Sequence, residues 1–143
     1  MNKPFKYYHI VLDGIDKTGK DLVRSYIYYL GKQKFICTAR GYMSMVVYSN
    51  LENRGYNYDM STQKNIINVL LTADKEDWLI RCKNTGEKII DYETHTAEFN
   101  KVFNDLQNAG YPVLLYNTSK MTPYQIAKDI VNIANSIEVE HAK

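Results

Sequence analysis

The chain has 143 residues, 45% of them apolar and 24% charged, with a formal net charge of +2. That length suits a single domain, residues 1–143, around one core. The charge is too small to point to nucleic acid, and no Lys/Arg stripe adds to it.

Of the two cysteines, Cys37 and Cys82, neither belongs to a C-x-x-C pair or sits near a histidine at zinc spacing. They read as buried thiols of a reducing compartment. The apolar run YYHIVL is far too short for a signal core or a membrane span, so a cytoplasmic protein without membrane contact is expected. Abundant Tyr, Asn and Lys suit an AT-rich, viral coding sequence, such as that of a phage.

The first predicted element is a buried strand over Phe5 to Leu12, stopped by Asp13-Gly14. A helix follows over Lys20 to Leu30, with Leu22, Ile27 and Leu30 at helical spacing and Gly31 at its end. Lys34 to Thr38 is a second strand, and Met43 to Asn53 a helix. Arg54 to Thr62 is polar and turn-rich, hence loop. Asn65 to Thr72 is a third strand, Lys75 to Lys83 a helix, and NTGEKIIDYE an irregular charged connection. Thr94 to Ala109 is a helix carrying Phe99, Val102, Phe103 and Leu106 on one face. Pro112 to Tyr116 is a fourth strand, and Pro123 opens a last helix with Ile126, Ile130, Ile133 and Ile137 in a stripe. Strands alternating with helices predict an α/β fold with a mainly parallel sheet and right-handed crossovers. Ligands of such sheets bind at the carboxyl ends of the strands, here the loops that begin at Asp13, Ala39, Ala73 and Asn117.

One of those loops carries a motif. In LDGIDKTGKD, Gly14 and Gly19 bracket four residues between a strand and a helix, and Lys20 follows. Glycines let the backbone aim its N–H groups at an anion, and the helix adds its N-terminal amides and dipole. Lys20 supplies a mobile charge for β- and γ-phosphates. The phosphate-loop pattern G-x-x-x-x-G-K-S/T asks for a hydroxyl next, and Asp21 stands there instead. A carboxylate at this position either ligates Mg²⁺, a hard cation, or stabilises the helix start. His9, His95 and His141 show no triad or metal spacing and read as structural or solvated.

The stretch from Asp13 through GIDKTGK resembles the loop of thymidylate kinases, an acidic residue followed by G-x-D-x-x-G-K. That family continues, after a strand, with D-R-Y/H-x-x-S-x-x-x-Y. ARGYMSMVVY matches it at Arg40, Ser44 and Tyr48, with Ala39 in place of the aspartate. LLTADKEDWLIRCK matches a further strand and helix, with Arg81 and Lys83 entering a short lid-like segment. The resemblance implies a three-layer P-loop kinase-like fold with about four parallel strands, and helices on both faces. It implies ATP and Mg²⁺ as cofactors, and phosphoryl transfer to a (deoxy)nucleoside monophosphate.

On that resemblance Gly14, Ile15, Asp16, Lys17, Thr18, Gly19, Lys20 and Asp21 hold the donor, with Asn117 and Thr118 near the adenine. Lys17, Lys20, Arg40 and Arg81 stabilise the moving phosphoryl group. Asp16, Arg40, Tyr42, Ser44, Tyr48 and Arg54 meet the acceptor, and Asp21 and Asp13 lie near the metal. The chain is shorter than full-size members of the family, so the acceptor side is expected to be abbreviated and open, or completed by a second subunit in a homodimer. Ala39 and Asp21 leave open a nucleotide-binding protein without turnover. Kinases for modified nucleotides or polynucleotide ends are further alternatives. Polyphosphate-dependent kinases also use G-x-D-x-x-G-K, often with Asp next, although their D-R-S-W-Y-N motif fits ARGYMSM poorly.

Overall fold

The computed structural model describes residues 9–32, 34–85 and 90–142. The elements run β1 (His9–Asp13), α1 (Lys20–Leu30), β2 (Ile36–Ala39), α2 (Tyr42–Leu51), a 3₁₀ turn (Met60–Gln63), β3 (Ile66–Thr72), α3 (Lys75–Thr85), α4 (Tyr92–Asn108), β4 (Val113–Asn117) and α5 (Pro123–Ala142). The four strands form one parallel sheet in the order β2-β1-β3-β4. Ile10 stands beside Cys37, Leu12 beside Val69, and Leu70 beside Leu115. Because β1 and β3 are covered on both faces, they read as continuous apolar runs rather than alternating ones.

Successive side chains of a strand point to opposite faces, and two cores result. On one face Ile10, Leu12, Ile67, Val69 and Leu71 pack against Val23 and Ile27 of α1 and Ile126 and Ile130 of α5. On the other, Leu70 packs among Met43 and Val47 of α2, Trp78 and Cys82 of α3, and Phe99, Val102 and Leu106 of α4. The result is a three-layer α/β fold with helices on both faces of a four-stranded parallel sheet. None of the described helices is long and apolar enough to cross a membrane.

Several boundaries differ from the sequence expectation. α4 begins at Tyr92 rather than Thr94 because Asp91 caps it, accepting from Thr94 N at 3.1 Å and Thr94 Oγ1 at 2.7 Å. Helices take both ends of the connection NTGEKIIDYE, with Asn84 and Thr85 ending α3 and Tyr92 and Glu93 opening α4; residues 86–89 lie outside the described residues. The loop expected over Arg54 to Thr62 contains the start of the 3₁₀ turn, capped by Asp59 through Ser61 N at 2.9 Å. The part of the first expected strand from Phe5 to Tyr8 also lies outside the described residues.

Candidate functional site at the glycine loop

The glycine loop leaves β1 at its carboxyl end and feeds α1. Gly14 has φ +138°, and a Cβ there would sit 2.3 Å from the Leu71 carbonyl oxygen. Only glycine combines that dihedral with so close an approach to β3. Lys17 has φ +68°, a left-handed conformation that costs a side-chain-bearing residue about 1 kcal/mol. The surroundings hold it there.

Lys20 turns back into the loop. Its Nζ donates to the Gly14 and Ile15 carbonyls, each at 2.8 Å, and lies 3.4 Å from Thr18 Oγ1. Thr18 Oγ1 donates to the Ile15 carbonyl at 2.8 Å, closing the turn. Burial lowers the Lys20 pKa to about 8; the carboxylates of Asp16, Asp13 and Asp21 oppose that fall, and the Arg40 charge adds to it.

Asp13 ends β1 fully buried. Its Oδ1 accepts from Gly41 N at 3.0 Å, from Ser44 N at 3.2 Å and from the Ser44 hydroxyl. Burial pushes its pKa up against the pull of those donors, and its Oδ2 has no hydrogen-bond partner among the described residues. Asp13, expected beside a metal, thus places one carboxylate oxygen on the N-terminal turn of α2, and Ser44, expected at the acceptor, is its partner. Just before that helix, Arg40 adopts φ +66° and pairs with the Asp16 carboxylate in an exposed ion pair.

An open cleft of about 420 Å³ is lined by Asp16, Lys17, Lys20, Asp21, Ala39 and Arg40. Asp21 stands in the first turn of α1, and its charge acts on Lys20. Mg²⁺ ordinarily keeps waters and takes one or two carboxylates plus phosphate oxygens, which Asp21 fits. No group of three or more His, Cys, Asp or Glu among the described residues forms a dedicated metal cage. A second cleft, about 490 Å³, opens on the other side of the loop, against Thr18, Leu22, Arg81, Thr85, Thr118 and Pro123. Asn117 borders it in sequence, donating to Asp74 Oδ1 at 2.9 Å and accepting from Ser119 N at 2.8 Å.

The remaining expected site residues scatter. Tyr42, expected to meet the acceptor, is buried in the core of α2, α3 and α4. Tyr48 is half-buried, its ring 5.9 Å from His95 and 6.1 Å from Phe99. Burial raises its phenol pKa, with the Asp16 charge next, so it lies within electrostatic reach of the first cleft. Arg54 pairs with Glu52, and no described contact joins it to the loop.

The sequence reading passed over Trp78. Its indole Nε1 donates to the Asp16 carbonyl at 2.9 Å, across 62 residues of chain. Arg81 Nη1 donates to the Lys17 carbonyl at 2.8 Å and to Thr118 Oγ1 at 3.1 Å. Trp78 and Arg81 are three residues apart on α3 and so share a face, which is the one sequence signal that links them.

A parallel α/β sheet whose first strand runs through a glycine loop, with an inward lysine, into a helix defines a P-loop, kinase-like fold. The chain is similar in structure to the YorR protein of Bacillus subtilis, solved in complex with phosphorylated GDP: TM-score 0.73, 18% identity, covering 94% of this chain and 98% of that one. No protein-family profile matches the chain, and no curated protein sequence matches it.

Proposed function

We propose that this protein binds ATP at the glycine loop and transfers its γ-phosphoryl group to a (deoxy)nucleoside monophosphate, in the manner of thymidylate kinases. The observation that carries this reading is Lys20, an ammonium held among loop carbonyls at the start of α1, with Asp16, Asp21 and Arg40 around the same cleft. The nucleotide in the YorR complex supports the same kind of ligand.

The two clefts divide a nucleotide in a chemically sensible way. The charged cleft suits phosphates, and Leu22, Pro123 and the Arg81 stem suit a base stacked beyond Thr118. An oxygen of the acceptor's phosphate attacks the γ-phosphorus in line. The bond from that phosphorus to the bridging oxygen breaks, giving ADP and a nucleoside diphosphate. Lys17, Lys20 and Arg40 offset charge on the moving group, and Asp16 and Tyr48 meet the acceptor. Asp21 would hold Mg²⁺, which when bound neutralises charge on the β- and γ-phosphates.

The assay is direct: purified protein, ATP, Mg²⁺ and each deoxynucleoside monophosphate in turn, with product diphosphate measured. Modified monophosphates and 5′-hydroxyl oligonucleotides belong in the same series. Diphosphate formation that Lys20→Ala abolishes is the expected outcome. Ala39, a methyl lining the cleft where the resembled family has a carboxylate, favours a second reading, nucleotide binding without turnover. Tight ATP binding with no product from any acceptor would select it.

A further inference from the structure

The glycine loop is held from outside by one helix. Trp78 Nε1 donates to the Asp16 carbonyl at 2.9 Å, and Arg81 Nη1 to the Lys17 carbonyl at 2.8 Å. These are consecutive peptide groups. No described peptide bond is cis, and in a trans peptide the N–H points opposite to the C=O. The Trp78 bond therefore turns the Lys17 N–H away from α3, and the Arg81 bond does the same for the Thr18 N–H.

Both donors are themselves anchored. The Trp78 ring packs 5.3 Å from that of Tyr92, whose hydroxyl donates to the Ala73 carbonyl at 2.5 Å. Arg81 also donates to Thr118 Oγ1, which donates to the Thr72 carbonyl at 3.0 Å. Each tether thus ends on the carboxyl end of β3. The left-handed Lys17, at φ +68°, lies between the two tethered carbonyls, which explains how the loop keeps that conformation.

We infer that Trp78 and Arg81 are positioning residues for an anion: they fix two peptide planes so that the Lys17 and Thr18 amides face a polyphosphate on the Lys20 side of the loop. This rests on the anion-binding half of the proposed function and not on turnover. Neither residue needs to touch the ligand. A preset pair of amides costs no reorganisation when the anion arrives.

The test uses isotope-labelled full-length protein, with inorganic tripolyphosphate and ATP as probes. In the wild type, the Lys17 and Thr18 amide resonances shift on adding tripolyphosphate. Trp78→Phe removes the indole donor, weakens tripolyphosphate by about tenfold, and abolishes chiefly the Lys17 response. Arg81→Met weakens it by a similar factor and abolishes chiefly the Thr18 response. Amides of α5 keep their wild-type positions in both. A merely structural role would move affinity and stability together without that residue-by-residue split. Variants that keep wild-type affinity and both amide responses overturn the inference. Should Trp78→Phe fail to fold, Arg81→Met decides, since its side chain is only partly buried. A wild type that binds neither probe overturns the functional reading and this inference with it; binding without kinase turnover overturns only the former.

Discussion

Lys20 is 8% exposed, and burial lowers its pKa from 10.5 to about 8. An unfolded lysine keeps its proton to about 10.5, so between the two values the unfolded chain binds more protons and stability rises with pH. Below about 8 both states are charged and the burial cost is fully present. Urea unfolding of wild type against Lys20→Met should show the difference shifting in favour of wild type as pH climbs through that window. Phosphates favour the charged form, so ATP affinity should be level below about 8 and fall above it. Titration calorimetry on both sides of that value checks this, and an affinity unchanged by alkali would place the anion elsewhere. Gly14 is the other intolerant position. Gly14→Ala forces a Cβ to 2.3 Å from a β3 carbonyl at φ +138°, for an expected loss of about 3 kcal/mol or more in a thermal melt.

At the scale of elements, Asp13 couples the end of β1 to the start of α2. Asp13→Ala leaves Gly41 N and Ser44 N without their acceptor, for an expected cost of about 2 kcal/mol in urea unfolding. Asp13→Asn keeps an acceptor oxygen at that position and should cost less. The sequence showed most elements because apolar spacing and Gly/Pro punctuation are local signals. LDGIDKTGKD declared its strand, loop and helix within ten residues' reach of one another. Asp91 was a legible cap three residues before the expected helix start. The Asp13–Ser44 and Trp78–Asp16 contacts were not legible, because they join residues 31 and 62 apart, and only the folded sheet brings them together. Tyr42 shows the converse, since nothing local to it told that it is buried in the core on that face of the sheet.

Across the whole molecule, strand alternation implied a parallel sheet, but the order β2-β1-β3-β4 and the division into two clefts come from long-range pairing that no local pattern encodes. A ligand that binds only the folded chain stabilises all of it. ATP at about a hundred times its Kd should add about 2.7 kcal/mol, which is about 8 °C in Tm for a domain of this size. Lys20→Ala should erase that gain in a thermal-shift assay. Trp78 is the single tryptophan in the chain, and its indole N–H is bonded to the glycine loop. The protein's tryptophan fluorescence therefore originates wholly from a chromophore wired to that loop. Its emission is a built-in optical gauge of loop occupancy, readable without any label.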